Sequence, residues 1–155
     1  MAIYVDSNVV IAMFEDDGMV SRRLRTLAIT QAPGLVTSEL TLAEVLVGPL
    51  KATETDPEDA RARGLVKLYE TFLGATPGVE VRTVDRHVLM ESALLRARFA
   101  ALKLPDAVHL ATALIAGAEV FLSADTRAAT IAGKLGLSPL LPTIETVDQL
   151  LRDAG

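Results

Sequence analysis

The chain has 155 residues, half of them hydrophobic and only 4% aromatic, and we expect one domain spanning residues 1–155. Cysteine is absent, which excludes disulfides, thiolate metal sites and cysteine nucleophiles. The net charge of −5 argues against a nucleic-acid partner. That argument is weaker if four acids share a metal site, because sixteen acidic residues then remain against fifteen Lys and Arg.

Short apolar strands alternate along the chain with amphipathic helices. The pattern predicts strands at residues 2–5, 35–37, 79–84 and 120–122, and a weak strand near 140–141. It predicts helices at residues 8–14, 19–30, 39–47, about 56–73, 86–102, 106–116, 127–135 and 145–152. This alternation is typical of an α/β fold with a mostly parallel sheet of four to five strands and helices on both faces.

Proline and glycine set several predicted boundaries. Pro33-Gly34 is expected to break the chain before the second strand. Gly48-Pro49 is expected to end a helix, residues 51–56 to form a polar linker, and Asp56-Pro57-Glu58-Asp59 to start the next helix. We therefore expect a helical hairpin that projects from the core between Gly48 and Gly74.

A second group of boundaries lies further along the chain. Leu104-Pro105 is expected to interrupt the helical pattern, so that a new helix starts at Asp106.

The N-terminus lacks a basic segment followed by a long apolar core, and no apolar run approaches roughly 20 residues. We therefore expect no signal peptide and no membrane span, and a cytoplasmic location.

Three aspartates stand where predicted strands and helices meet. Asp6 follows the first strand and precedes a helix whose N-cap we expect at Ser7. Asp106 opens a nearly apolar helix, and Asp125 follows the strand 120–122 by way of Ser123. Ligands bind at the carboxyl ends of strands in open α/β sheets, although each aspartate alone also fits an ordinary turn or cap.

Glu44 is the fourth acidic candidate, because its helix carries almost no other charge. Helical spacing places it between Leu40 and Val47, where a buried carboxylate needs a partner or a metal ion. The alternative is a solvent-facing stripe shared with Thr41. Four carboxylates in one crevice repel one another unless a cation neutralises them.

The other polar groups give weaker indications. His109 lies on the same helix face as Asp106, and we interpret it as a hydrogen-bonded core residue. The chain has two histidines in all, which does not favour a histidine-based zinc site. Arg22, Arg23 and Arg25 form the densest basic group, which fits either a solvated helix face or a rim that contacts phosphate.

Oxygen-only ligation favours Mg²⁺ or Mn²⁺. Such ions support attack of water on a phosphodiester, with one ion activating the water and one stabilising the leaving oxygen. No nucleophilic side chain is then required.

Four segments carry the acidic candidates: residues 4–11, 38–45, 104–114 and 121–125. The most specific stretch, residues 105–113, reads Pro-Asp-Ala-Val-His-Leu-Ala-Thr-Ala. In their residues and their order these segments resemble PIN-domain nucleases, and in particular VapC-type toxins of bacterial toxin–antitoxin modules.

The resemblance implies a PIN-like fold and an endoribonuclease that depends on Mg²⁺ (or Mn²⁺). It implies that the metal ligands and catalytic residues are Asp6, Glu44, Asp106 and Asp125. It also implies that Ser123 supports this site, and we expect Asn8 to orient the same ligands. Ala124 departs from relatives that carry a polar residue there, which puts a minor substrate contact in doubt.

The same resemblance implies three partners: an RNA substrate, a second copy of the chain in a homodimer, and a small VapB-like antitoxin. In the family the antitoxin commonly docks along the helical hairpin and inserts a basic side chain at the acidic site. The long polar segment 51–59 can alter this hairpin and therefore the choice of partner.

Two other functions compete with this interpretation. The first is a catalytically inert PIN-like RNA- or protein-binding module in which the acids only cap helices. The second is a phosphoacceptor receiver domain, which needs an acidic pair after the first strand and a lysine after the last core strand. Ser7 follows Asp6 here, and Lys134 lies within a predicted helix, so both requirements are unmet.

Overall fold

A parallel sheet forms the centre of the structure, a computed structural model that describes residues 1–30 and 34–155. Its five strands in these residues lie in the spatial order β3-β2-β1-β4-β5, and every neighbouring pair is parallel. The predicted α/β class, parallel sheet and strand number are confirmed. The strands are β1 (Ile3–Val5), β2 (Leu35–Ser38), β3 (Val79–Arg82), β4 (Val120–Leu122) and β5 (Ser138–Leu140).

Helices cover both faces of this sheet. Alternate side chains of a strand point to opposite faces, so Ile3 and Val5 pack into one apolar cluster while Tyr4 packs into the other. The first cluster also takes residues from α1, α2, α3, α4 and α8, and the second from α5, α6 and α7. The helices of the described residues are α1 (Ser7–Glu15), α2 (Met19–Thr30), α3 (Glu39–Thr55), α4 (Ala60–Ala75), α5 (Arg86–Arg98), α6 (Leu104–Ile115), α7 (Thr126–Lys134) and α8 (Ile144–Ala154).

Helix α3 is longer than the sequence predicts. It continues through Pro49 to Thr55, with Asp56 as its C-cap, so the predicted end at Gly48-Pro49 and the polar linker at 51–56 are wrong. A proline inside a helix removes one backbone hydrogen bond and crowds the preceding turn. Pro49 is buried and lines a small cavity with residues of α1 and α4, so α3 continues through a proline that tertiary structure covers.

Helices α3 and α4 form the predicted hairpin, but over residues 39–75. Helix α4 begins at Ala60 rather than in Asp56-Pro57, and the Asp59 side chain caps it by accepting from the backbone N–H of Ala62 at 2.9 Å. Tyr69 of α4 is fully buried and its hydroxyl donates to Glu15 of α1. Burial first, and then the hydrogen bond with Glu15, raise the pKa of Tyr69. The hairpin is therefore anchored on α1.

The boundaries around α6 also differ from the prediction. Helix α5 ends at Arg98 rather than 102, and α6 begins at Leu104 rather than Asp106. Lys103 is the N-cap residue and makes no side-chain capping bond. Pro105 occupies the first turn of α6, where its missing N–H costs nothing, so it begins this helix instead of interrupting the pattern. Strand β3 likewise stops at Arg82, two residues before the predicted end.

The arginines of α2 are engaged by the protein itself. Arg23 forms an ion pair with Asp148 of α8 at 3.2 Å, and Arg25 donates to the carbonyl of Met13 and to Ser21. These contacts favour a structural role over a phosphate-contacting rim.

No helix in the described ranges is both long and apolar enough to cross a membrane. Pro33 of the predicted chain break lies outside the described residues.

Candidate active site

The candidate site lies where the strand order reverses. From β1 the chain builds β2 and β3 on one side, and then returns to place β4 and β5 on the other side. A crevice opens at the carboxyl ends of the strands at such a switch point. Val5 pairs with Leu122, so the residues that follow these two strands, Asp6 and Ser123, lie side by side.

The Asp6 side chain is buried and held by three hydrogen bonds. Asp6, not Ser7 as predicted, is the N-cap of α1, and its Oδ1 accepts from the backbone N–H of Val9 at 3.4 Å. Its Oδ2 accepts from Asn8 Nδ2 at 3.0 Å and from the hydroxyl of Ser123. Asp6 is the cap because α1 begins at Ser7, which leaves Asp6 as the preceding residue with extended backbone.

Ser123 and Asn8 join the loop after β4 to the start of α1. Besides donating to Asp6, the Ser123 hydroxyl accepts from the backbone N–H of Asp125 at 3.0 Å. The Asn8 Oδ1 accepts from the backbone N–H of Ala124 at 3.0 Å. Both side chains thus fix the orientation of the Asp6 carboxylate.

Burial raises the pKa of Asp6 from 3.8 to about 6. The hydrogen bond from Ser123, the charge of His109 and the bonds from Val9 and Asn8 all oppose this rise but do not cancel it. Losing water destabilises the charged form of a carboxylate more than these groups stabilise it. A cation at Asp6 would favour the ionised form.

Glu44 is held by a buried chain of hydrogen bonds that the sequence did not reveal. His109 Nε2 lies 2.5 Å from Glu44 Oε1, and His109 Nδ1 lies 2.7 Å from the Tyr4 hydroxyl. An ionised carboxylate only accepts, so Nε2 carries a hydrogen, and in the neutral ring Nδ1 accepts from Tyr4. Burial, followed by the charge of Asp6, raises the pKa of Tyr4.

These contacts decide between the alternatives for Glu44 and His109. Thr41 is fully buried, so the solvent-facing stripe shared by Glu44 and Thr41 is wrong. The Glu44 side chain is 31% exposed at the edge of the crevice. His109 is buried and paired at both ring nitrogens, as expected of a core histidine, and it also reaches the site. The only sequence signal was its position one turn after Asp106.

Asp106 and Asp125 complete the acidic group. Asp106 lies in the first turn of α6, so it is not the N-cap. Burial raises its pKa, and the negative charges of Asp125 and Glu44 raise it further, against the opposing charges of His109 and Lys103. Asp125 caps α7 through its Oδ1, which accepts from Arg127 N at 2.9 Å and Ala128 N at 3.4 Å.

The donor set fits a hard divalent cation in its chemistry. All four candidate ligands are carboxylates, which suits Mg²⁺ or Mn²⁺. The charges of Asp125 and Glu44, which help to raise the pKa of Asp106, indicate an excess of negative charge around that residue. Among residues 1–30 and 34–155, however, no three His, Asp or Glu side chains are grouped so that they could hold a metal ion as they stand. Glu44 contacts His109 instead, so joint ligation needs side-chain rotation.

Solved structures with the same fold include three bacterial proteins. A toxin–antitoxin complex from Klebsiella pneumoniae is 22% identical with a TM-score of 0.59, covering 92% of this chain and 98% of that one. The DNA-bound VapBC of Salmonella typhimurium is 17% identical with a TM-score of 0.66, covering 92% and 100%. The Sarcin-Ricin loop cleaving toxin VapC20 of Mycobacterium tuberculosis is 16% identical with a TM-score of 0.61, covering 84% and 95%.

Sequence comparison gives the family. Against curated proteins it finds no significant match. The model of the PIN domain family matches residues 3–134, a range that includes all four candidate carboxylates together with Asn8 and Ser123. The chain therefore belongs to the PIN domain family.

Proposed function

We propose that this protein is a divalent-metal-dependent endoribonuclease that acts as the toxin of a VapBC-type pair. One observation supports the proposal above all: the negative charges of Asp125 and Glu44 act on Asp106 next to the carboxyl ends of β1 and β4, where Asp6 lies. Burial and mutual repulsion raise the pKa of Asp106, and burial raises that of Asp6. Such a cluster destabilises the protein unless a cation is present, so it fits an ion site better than a set of caps.

The side chains around the four acids have separate tasks in this proposal. A bound Mg²⁺ or Mn²⁺ would supply charge neutralisation and an activated water for attack on the phosphodiester. Ser123 and Asn8 hold the Asp6 carboxylate in one orientation. His109, itself held by Tyr4, holds Glu44. No nucleophilic side chain takes part, so the protein's contribution is the placement of oxygen ligands.

The proposed partners follow from the structural neighbours. Two of the neighbours described above are solved as toxin–antitoxin complexes, and VapC20 cleaves the Sarcin-Ricin loop. We extend this to a VapB-like antitoxin that docks along the hairpin of α3 and α4, to RNA as the substrate, and to a homodimer of single-domain chains. The phosphoacceptor alternative has no support, since Lys134 lies in the last turn of α7.

Cleavage of RNA by purified variants tests the proposal. We expect Asp6→Asn and Asp106→Asn to abolish Mn²⁺-dependent cleavage while circular dichroism shows a folded protein. Asp85→Asn is the matched control, because Asp85 caps α5 through Val88 N at 3.0 Å in the same way as Asp6 caps α1. Asn caps a helix about as well as Asp, so this control should cleave at the wild-type rate. Wild-type cleavage by Asp6→Asn would refute the mechanism.

Calorimetry separates an enzyme from an inert binding module. We expect Mn²⁺ to bind the wild type at a site that Glu44→Gln weakens and Asp85→Asn leaves intact. A protein in which the four acids only cap helices should show no site-specific Mn²⁺ binding, and that result would favour the inert module.

A further inference from the structure

A cavity of about 300 Å³ adjoins the acidic crevice. It lies between the segment that leads into α6 and one side of α7, and both Asp106 and Asp125 line it. Its volume is at the lower end of the roughly 300–1,000 Å³ of ligand sites. The proposed catalytic acids occupy only part of the wall, so the rest of the cavity has no role in the mechanism above.

Two unpaired cations belong to this remaining wall. Lys103 and Arg127 both line the cavity and are exposed. Within the described ranges neither side chain forms an ion pair, whereas Arg23 and Arg82 are each paired with an acid. The charge of Lys103 reaches the site, because it lowers the pKa of Asp106. A negatively charged ligand would therefore find free positive groups at the edge of an otherwise acidic centre.

Part of the wall is apolar. Leu102 is buried and Ile131 partly buried, and both face the cavity. Arg96 Nε donates to the Leu102 carbonyl at 3.2 Å, which fixes this segment. An apolar wall beside a guanidinium suits an unstacked base, because Arg planes stack on bases in single-stranded RNA recognition.

We propose that this cavity is the subsite for a nucleotide next to the scissile phosphate of single-stranded RNA. Lys103 and Arg127 bind phosphates on either side of that nucleotide, and its base lies against Leu102 and Ile131. The proposal rests on the proposed ribonuclease function, since it takes Asp106 and Asp125 as the place of cleavage. A cavity lined by both cations and apolar side chains suits a ligand that carries both phosphates and bases.

Salt-dependent RNA binding tests the cationic half. The double variant Lys103→Gln/Arg127→Gln is compared with Lys51→Gln/Lys134→Gln, which removes the same charge from α3 and from the far end of α7. The dissociation constant of a labelled single-stranded RNA is measured in EDTA by fluorescence anisotropy over a salt series. Each phosphate contact contributes about 0.7 to the slope of log K against log salt.

The expected result is quantitative. Loss of two contacts should reduce the slope by about 1.4 and weaken binding about 25-fold at 0.1 M salt. The control pair should keep the wild-type slope. In cleavage assays with Mn²⁺, the cavity variant should raise KM and leave kcat within about twofold, because the carboxylates are intact. An oligonucleotide that lacks the base next to the cleavage position should bind the wild-type protein more weakly than the intact oligonucleotide does.

The failures of the subsite and of the nuclease are distinguishable. If the wild type cleaves RNA and the two double variants behave alike, the subsite is wrong and the function stands. If the cavity variant alone loses RNA affinity but no protein cleaves, the cavity binds RNA without a scissile phosphate beside it, and both the nuclease and the subsite as a cleavage subsite fail. A third outcome is that the cavity variant binds RNA as tightly as the wild type but binds poly-glutamate more weakly. That result would assign the cavity to an acidic protein partner and overturn the subsite.

Discussion

Asp6 should make the metal-free protein less stable as the pH rises. Its pKa is raised by burial from 3.8 to about 6 in the folded protein, while the unfolded chain keeps the lower value. Between these values the folded state binds more protons than the unfolded state, so the free energy of unfolding falls with increasing pH. A pKa shift of about two units corresponds to about 3 kcal/mol in the free energy of unfolding. This stabilisation is present below pH 3.8 and is lost above pH 6.

Asp6→Asn cannot titrate and should remove this dependence. Denaturant unfolding in EDTA at pH 4, 5, 6 and 7 gives the free energy of unfolding of both proteins. We expect the variant to gain about 2.4 kcal/mol relative to the wild type between pH 4 and pH 7, because the unfolded chain is already largely ionised at pH 4. Hydrogen bonds lost from Asn8 and Ser123 lower the variant's stability at every pH, so they cancel in this comparison.

The control for this experiment is Asp85→Asn, an exposed helix cap whose curve should run parallel to that of the wild type. If the Asp6→Asn curve also runs parallel to the wild type, desolvation does not govern Asp6, and the argument for a cation at this position fails. Mn²⁺ at one hundred times its dissociation constant should stabilise the wild type at pH 7 by about 2.7 kcal/mol and the Asp6→Asn variant by much less.

The remaining predictions concern the hydrogen-bond chain and two glycines. Tyr4→Phe leaves His109 Nδ1 buried without its partner, so the free energy of unfolding should fall by about 1–3 kcal/mol in denaturant titrations. Calorimetry should also show weaker Mn²⁺ binding, because Glu44 loses its support; unchanged affinity would limit Tyr4 to a structural role. Gly136→Ala should destabilise by about 1–2 kcal/mol, since Gly136 has φ +88°. Gly64 lies within α4 with open space around it, so Gly64→Ala should stabilise the protein by about 0.5–1 kcal/mol. Thermal melts in which Gly136→Ala and Gly64→Ala shift the melting temperature in the same direction would contradict these two predictions.

The sequence predicted that Asp6 and Asp125 follow the ends of strands because this depends on short-range features. Buried strands of three residues each precede Asp6 and Asp125, and the parallel arrangement brings the carboxyl ends of β1 and β4 together. Strand register alone therefore places Ser123 next to Asp6. This part of the site needs no knowledge of helix packing.

Features that depend on packing between distant segments were missed. Tyr4 and His109 are 105 residues apart, and the alternation of β1 shows only that Tyr4 faces away from Ile3 and Val5. Which residue meets the Tyr4 hydroxyl depends on how α6 lies on the sheet. The same limit applies to Pro49, whose local preference ends a helix while its burial against α1 and α4 allows α3 to continue.

The sequence presented capping and ion binding as alternatives, but a carboxylate has two oxygens and capping engages only one of them. Asp125 uses only Oδ1 to cap α7, and no hydrogen bond within the described residues engages its Oδ2. Asp6 likewise caps α1 through Oδ1, while Oδ2 takes the bonds from Asn8 and Ser123. A carboxylate that caps with one oxygen has a fixed rotamer, which aims the other oxygen in a constant direction. Capping is thus a means of positioning a ligand, and a cap at the carboxyl end of a central strand is not an argument against a functional role.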